Sequence, residues 1–270
     1  MNTPDMFTKS ILLVAHPDDE ILWFSSILDK VDDVIFCYLD CTSNPQWTMG
    51  RKQSLSEHPL KNISCLNIDE SESCDSANWE NPLINKFGIK ISQKSISDKY
   101  KENYIKIEEA LKDKLKHSHN VFTHNPWGEY GNEDHIQIYR IVKKYQEKMK
   151  FNLWFSNYCS NKSYPLMLKY ISGFDSEYVT LKTNKVLSHQ IENLYKKNGC
   201  WTWFDDWIWF NEESFMKDED LKEDSKVYGH IFPLNMIKQE FPRKGLYRII
   251  HKLKKVYGCN KASIVDIKTK

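Results

Sequence analysis

The stretch Ile11-Leu12-Leu13-Val14-Ala15-His16-Pro17-Asp18-Asp19-Glu20 decides the fold of this chain. Five consecutive apolar residues predict a strand that is buried on both faces, which is typical of a parallel sheet. Three carboxylates follow close behind His16 and predict a loop that enters a helix with its acidic residues at the positive end of the helix dipole. Apolar residues then recur with helical spacing, so the helix is expected to continue to Leu28.

The rest of the first 160 residues alternates strand and helix patterns. Further strands are predicted at 34–39, 121–123 and 152–158, with helices at about 102–116 and after His135. This alternation predicts an α/β fold, a Rossmann-like three-layer sandwich whose mostly parallel sheet carries helices on both faces. The polar segment 69–98 is weakly periodic and is expected to be an insertion or a lid over a site.

Composition excludes several classes of protein. The formal net charge of +1 gives no general attraction to nucleic acid. No apolar run approaches the roughly 18 residues that span a bilayer, and residues 1–10 do not have the pattern of a signal peptide. Seven cysteines without a C-x-x-C pair predict reduced thiols in a cytoplasmic protein. No G-x-G-x-x-G follows the first strand, which disfavours a nucleotide-dependent dehydrogenase.

Two loops carry residues that suit a metal site. His16 and Asp19 are three residues apart at a strand-to-helix corner, and His135 lies in a loop that follows a second buried strand. Three protein ligands and a water are the pattern of catalytic zinc. Asp18 would then be free to take a proton from that water, whose pKa the metal lowers to about 7. The alternative is a capping or core histidine beside acids that stabilise a helix N-terminus.

The two loops also resemble a known family. Ala15-His16-Pro17-Asp18-Asp19-Glu20, with Gly128-Glu129-Tyr130-Gly131-Asn132-Glu133-Asp134-His135 downstream, is similar to the PIG-L or LmbE-like family of zinc-dependent N-acetylglucosaminyl deacetylases. The resemblance covers about residues 7–158. It implies a single LmbE-like domain over 1–270, with both metal motifs in a catalytic core at 1–160 and an aromatic and basic extension at 161–270 packed on that core.

The resemblance also implies roles for individual residues. Zinc would be held by His16, Asp19 and His135, and Asp18 would be the general base.

Three further residues match family positions around these. Tyr130 matches a tyrosine that stabilises the oxyanion, and Asp134 matches a carboxylate that orients the last ligand or tunes the site. Arg51 lies where the family often has a substrate-contacting arginine. The glutamate usual three residues later is Ser54 here, so an ordinary helix-surface arginine is the alternative for Arg51.

Asn132 departs from the family pattern, in which many relatives have a histidine. Asparagine cannot titrate, although its NH₂ group can donate a hydrogen bond to an oxyanion. Three alternatives stay open: Asp18 carries the proton to the leaving nitrogen by itself, His124 supplies the missing imidazole, or the enzyme is slow or inactive on ordinary amides. A structural histidine at a strand end is the competing interpretation of His124.

The last 70 residues carry an aromatic run and a basic tail. The run has four tryptophans, and it is predicted to bury in the core or in a contact that makes a homo-oligomer, with a sugar platform as the alternative. Its aromatic residues are Trp201, Trp203, Phe204, Trp207, Trp209 and Phe210. Residues 231–270 contain ten Lys or Arg and two acidic residues. They predict an amphipathic helix that packs on the domain, with contact to an anionic membrane surface as the alternative.

The expected function follows from the resemblance. It implies a cytoplasmic zinc-dependent hydrolase that removes acetyl from an N-acetylated amino sugar, sugar nucleotide or glycolipid of the GlcNAc type. A hydrolase of another amide or carbamoyl group, and a catalytically weakened sugar-binding derivative, are the alternatives. The same ligands would also accept Fe(II) or Co(II).

Overall fold

A computed structural model describes residues 5–174, 178–219 and 230–239 of the chain. The strands in this part are β1 (Ser10–Val14), β2 (Asp33–Asp40), β3 (Ile63–Asp69), β4 (Ile84–Asn85), β5 (Gly88–Ile89), β6 (Asn120–Thr123), β7 (Asn152–Ser156), β8 (Tyr158–Ser160), β9 (Tyr178–Lys182), β10 (Glu212–Lys217) and β11 (Asn235–Ile237). The helices are α1 (Asp19–Leu22), α2 (Pro45–Ser56), α3 (Lys94–Leu111), α4 (Glu133–Met149), α5 (Tyr164–Met167) and α6 (Lys185–Lys197), with short 3₁₀ turns at Asp5–Phe7 and Ile171–Gly173.

A seven-stranded sheet organises these elements in the order β3-β2-β1-β6-β7-β10-β9. The first five strands of this order, β3, β2, β1, β6 and β7, are parallel to one another. At the far edge, β10 pairs antiparallel with both β7 and β9. Two small sheets, β4 with β5 and β8 with β11, lie outside it. The predicted α/β fold with a mostly parallel sheet is confirmed.

Helices cover both faces of this sheet. Leu12 and Val14 of β1 belong to a core cluster that also contains residues of α6. Ile11 and Leu13 point the other way, into a cluster built with α3 and α4. Because successive side chains of a strand alternate between faces, a strand between two helical layers buries both sets, which explains the unbroken apolar run from Ile11 to Val14.

The segment after β1 differs from the prediction. The helix expected to continue to Leu28 ends at Leu22, after four residues. The Ser26 N–H donates to Glu213 at 2.8 Å, and the Ser26 hydroxyl donates to the same carboxylate at 2.6 Å. A backbone N–H bonded in this way cannot extend the helical ladder. The apolar residues that suggested a longer helix are nevertheless buried.

Other boundaries shift by a few residues. The strand predicted at 152–158 is divided at Asn157 into β7 and β8, and the helix predicted at 102–116 runs instead over Lys94–Leu111. The polar segment 69–98 contains the β4–β5 hairpin and the first residues of α3.

One compact unit of the chain ends at Ile237. The predicted basic helix of the tail lies outside the described residues, so the single-domain organisation stays a prediction. Within 5–174, 178–219 and 230–239, none of the helices combines the length and the apolar character that crossing a bilayer requires. The six cysteines in this part are free.

Candidate metal centre

The loops that follow β1 and β6 meet at the carboxyl edge of the sheet, because these strands are direct neighbours. The β1 loop supplies His16 and Asp19, and the β6 loop leads to His135 in the first turn of α4. One donor atom from each residue lies within 4.8 Å of the other two, and all three residues are buried. The structure therefore brings together the three predicted ligands.

His135 places a ring nitrogen directly opposite a carboxylate oxygen of Asp19. Its Nδ1 lies 2.7 Å from Glu129 Oε2, to which it donates, and its Nε2 lies 3.1 Å from Asp19 Oδ1. Nε2 is buried and has no hydrogen-bond partner in the described part of the chain. Two electron pairs facing each other require a proton or a metal ion between them, and imidazole with carboxylate is a donor set that zinc takes.

The charges around His135 support the same interpretation. Burial lowers the pKa of His135, but the carboxylates of Asp19 and Glu129 outweigh burial and raise it to about 9. Burial likewise opposes ionisation of Asp19, yet His135 and His16 hold the pKa of that carboxyl well below its usual range. The site is therefore built to hold positive charge next to an ionised Asp19.

Asp19 is held by two further donors. The His16 N–H donates to Oδ2 at 2.7 Å, and Trp23 Nε1 donates to Oδ1 at 2.8 Å. These bonds keep the carboxylate turned toward both histidines, as a preorganised ligand requires.

Glu129 is a site residue that sequence reasoning missed. It contacts His135 and also lies 3.0 Å from His124 Nδ1. Burial raises the pKa of Glu129, but the two histidines outweigh it and lower the pKa to about 2. A carboxylate that accepts from the second nitrogen of a metal-binding histidine fixes its tautomer. Its place in the loop between the two histidines was the signal in the sequence.

His124 uses both ring nitrogens on protein partners. Nε2 accepts from the Ala15 N–H at 2.9 Å, and Nδ1 donates to Glu129. Burial and the neighbouring His135 lower the pKa of His124. This geometry favours the structural interpretation, a histidine that joins the ends of β6 and β1, over a proton donor.

Asp18 lies beside the ligand group and outside it. Its backbone has a φ of 115°, in the left-handed region, and it immediately precedes α1. Its Oδ2 accepts a hydrogen bond from the Thr202 hydroxyl, and its N–H donates to Glu20 at 2.8 Å. Burial and the neighbouring Asp19 raise the pKa of Asp18 to about 7. A carboxyl with that pKa can accept and return a proton near neutral pH.

Tyr130 and Asn132 lie in a tight turn before α4. Gly128 has a φ of 70°, and a Cβ there would lie 2.4 Å from the Asn132 carbonyl oxygen, so this position requires glycine. Asn132 caps α4 by accepting from the Asp134 and His135 N–H groups. Its Nδ2 donates to Tyr130 Oη at 2.7 Å.

Asp134 connects the metal centre to the polar segment 69–98. Its Oδ2 lies 3.3 Å from His16 Nε2. Its Oδ1 accepts from the hydroxyls of Ser71 and Ser73 at 3.2 and 2.9 Å. The contact is with His16, whereas the resemblance implied that Asp134 orients the last ligand, His135. The segment described as an insertion or lid therefore touches the carboxylate that contacts His16.

Arg51 is buried, so the alternative of a helix-surface arginine is wrong. Its Nη1 donates to Glu70 and, at 3.2 Å, to the Leu39 carbonyl oxygen. Glu70 Oε1 lies 3.8 Å from His16 Nε2. The carboxylate beside Arg51 is that of Glu70, which follows β3 and lies 19 residues further along the chain, so no local sequence pattern indicated the pair.

The aromatic segment (201–210) both packs on the core and borders the site. Trp209 is buried, whereas Phe204 is 52% exposed. The Trp203 ring lies 4.8 Å from that of Tyr130 and 5.2 Å from that of Trp23. Together with the hydrogen bond from Thr202 to Asp18, these contacts place the segment beside Asp18, which neither prediction for the run included.

The chain is only distantly similar to known proteins. No protein-family model matches the chain. It is 24% identical over 198 residues to the uncharacterized protein L374 of Acanthamoeba polyphaga mimivirus, covering 70% of this chain and 80% of that protein. A crystal structure of the deacetylase–teicoplanin complex from teicoplanin biosynthesis is 12% identical with a TM-score of 0.45, covering 78% of this chain and 99% of that one. The zinc-inhibited form of teicoplanin deacetylase gives 12% identity and a TM-score of 0.46. Similarity at these levels assigns neither a family nor a residue role, so the chemistry of this site has to follow from its own donor groups.

Proposed function

We propose that this chain is a cytoplasmic, metal-dependent hydrolase that removes the acetyl group from an N-acetylated amino sugar or sugar conjugate and releases acetate. The observation that carries the proposal is the position of Asp18. It lies next to three converging ligand groups without belonging to them, and its pKa is about 7. A carboxylate beside a metal centre that is not itself a ligand can serve as the base that hydrolysis of an amide by water requires.

His16, Asp19 and His135 would hold zinc, which when bound polarises a carbonyl oxygen and lowers the pKa of water. Asp18 takes a proton from the attacking water as the new C–O bond forms. Tyr130 donates a hydrogen bond to the oxyanion that develops on the acyl oxygen. Asp18 then returns its proton to the nitrogen as the C–N bond breaks, giving acetate and a free amine. His124 takes no part in this transfer, because both of its nitrogens are engaged.

The surroundings of the base suit a ring-shaped substrate. Trp23 is fully buried against Tyr130, whereas Trp203 and Trp207 are half-buried and lie 5.7 Å apart between ring centroids. Aromatic faces with polar groups beside them combine apolar contact with hydrogen bonding, which matches the two kinds of surface on a sugar. The Nη1 group of Arg51 donates to Glu70 and to the Leu39 carbonyl oxygen. A contact between Arg51 and the substrate stays a prediction.

Acetate release tests the proposal directly. Zinc-loaded and metal-stripped protein are incubated with free GlcNAc, a UDP-linked GlcNAc, a GlcNAc glycolipid and, as comparison substrates, N-formyl and carbamoyl sugars. We expect zinc-dependent acetate release from at least one N-acetyl substrate, and Asp18→Asn should lower kcat by about 10²–10⁴ while zinc stays bound. Near-normal turnover by Asp18→Asn would refute the role of this base. Hydrolysis of the carbamoyl sugar, measured as ammonia, without acetate release from any N-acetyl substrate would refute deacetylation.

A further inference from the structure

Asn132 uses both ends of its side-chain amide. Oδ1 accepts from the backbone N–H groups of Asp134 at 2.8 Å and His135 at 3.4 Å. Nδ2 donates to Tyr130 Oη at 2.7 Å. Because a helix cap must accept hydrogen bonds, Oδ1 has to face α4, and the NH₂ group has to face Tyr130. The cap therefore determines the direction of the hydrogen bond to the tyrosine.

This direction has a consequence for the Tyr130 hydroxyl. A phenol has one hydrogen to donate and also accepts. Since Asn132 can only donate at this contact, Tyr130 Oη accepts and its own hydrogen stays available. Among the residues that the structure describes, no second protein group bonds to this hydroxyl. The ring itself is held by Trp23, Trp203 and His135, at 5.5, 4.8 and 5.3 Å between centroids.

We propose that Asn132 is a positioning residue that directs the phenolic hydrogen of Tyr130 toward the substrate carbonyl oxygen. The inference rests on the proposed function. It explains how asparagine works at a position where an imidazole was expected. Asn132 neither titrates nor needs to touch the substrate, because it acts through the direction in which Tyr130 donates.

Asn132→Asp separates this role from the role of the cap. Aspartate caps a helix as well as asparagine does, so Tm should be unchanged or slightly raised and zinc should stay bound. Aspartate cannot donate to Tyr130, however, so the phenolic hydrogen turns toward position 132. We expect kcat for acetate release to fall about 100-fold with KM changed less than about threefold, as for loss of one oxyanion donor. Asn132→Ala, which loses the cap, should lower Tm.

Tyr130→Phe is the matched background for excluding an effect of the added charge. With no hydroxyl to turn, Asn132→Asp should change kcat in Tyr130→Phe less than about threefold. A comparable 100-fold loss in both backgrounds would overturn the proposal, because charge alone would then explain it.

Acetate binding gives a readout that is independent of turnover. Titration of zinc-loaded protein with acetate, followed by NMR or calorimetry, should show about tenfold or greater loss of affinity in Asn132→Asp, since a hydrogen bond to a charged group is removed. The same substitution made in Tyr130→Phe should change acetate affinity less than about threefold. Equal acetate affinity in the two proteins, or no acetate binding to the wild type, would overturn the role of Asn132. If no substrate in the panel releases acetate but Asn132→Asp weakens acetate binding only when the Tyr130 hydroxyl is present, the proposed reaction fails and the positioning role stands.

Discussion

Glu129 connects two histidines of this site through a single carboxylate oxygen, 2.7 Å from His135 Nδ1 and 3.0 Å from His124 Nδ1. Its other oxygen accepts from the Asn125 N–H and the Ser156 hydroxyl. One buried side chain thus holds the tautomer of the proposed ligand and the position of its neighbour. At the scale of single residues, the geometry of the metal centre depends on this carboxylate as much as on the ligands themselves.

Glu129→Gln should lower zinc affinity about 10–100-fold, because the neutral amide no longer stabilises the donating Nδ1–H of His135. Competition with a chromogenic chelator measures this change. Glu213→Gln is the control, since Glu213 is also a buried carboxylate but bonds to Ser26 and Tyr158 instead. Similar zinc affinities in the two variants would argue against a special role for Glu129.

Thr202 donates a hydrogen bond to the carboxylate of Asp18. Substitution of Thr202 therefore tests how the surroundings of Asp18 set its pKa. The Thr202 hydroxyl lowers the pKa of Asp18, opposing the larger effect of burial. Thr202→Val removes that hydroxyl, so the pKa of Asp18 should rise. Because the base must be ionised to act, the acid limb of kcat/KM should move to higher pH. Thr202→Ser keeps the hydroxyl and should leave the limb in place. A pH–rate profile of Thr202→Val that overlays the wild type would exclude this role.

At the scale of elements, the segment 69–98 and α4 are joined by Glu133. This buried carboxylate accepts from the Asp75 and Ala77 N–H groups and from Trp79 Nε1. Lys162 adds an ion pair with Asp75. The segment is thereby fastened to the first turn of α4, next to Asp134 and His135.

Glu133 makes the attachment of this segment sensitive to pH. Burial raises the pKa of Glu133 from 4.5 to about 7. Between these two values the folded state binds more protons at this group than the unfolded state does. The free energy of unfolding should therefore fall as pH rises from about 4.5 to 7, on the order of 3 kcal/mol from this group.

Urea unfolding of metal-free wild type and Glu133→Gln at pH 5 and pH 8 measures the effect. At pH 5 the free energy of unfolding of Glu133→Gln should be equal to or lower than that of the wild type. At pH 8 the difference should shift in favour of the variant, because the wild-type carboxyl is then ionised. A stability difference that does not change with pH would show that Glu133 does not titrate in this range.

The elements with strong local patterns are the ones that the sequence predicted correctly. β1 and α4 could be predicted because a both-sides-buried strand and a long amphipathic helix have strong periodic patterns. His16, Asp19 and His135 could be placed together because neighbouring parallel strands end at one edge. α1 was overestimated because the Glu213 carboxylate that interrupts the ladder comes from 187 residues away. Thr202 and Glu70 were missed for the same reason, since long-range contacts have no local signature.

At the scale of the whole molecule, every residue of the proposed site belongs to the unit that ends at Ile237. The excess of basic residues in 231–270 lies mostly beyond it. We expect a chain that lacks 240–270 to bind zinc within about twofold of the full chain, because no ligand, base or orienting residue is removed. Chelator competition on both chains measures this. A larger loss of affinity would show that the tail contributes to the metal centre.

The burial of the three proposed ligands affects the rate at which a metal ion exchanges with solution more than the affinity for that ion. His16, the most exposed of the three, is 9% accessible, and His135 is fully enclosed. An ion in such a position exchanges with solution only when a covering element opens, so its departure rate reports the frequency of that opening. The aromatic segment covers Asp18 and contains neither helix nor strand, which makes it the element most suited to open. The rate at which a chelator removes the metal would therefore measure how often this segment opens. The lifetime of the metal-loaded protein would depend on side chains that do not contact the ion.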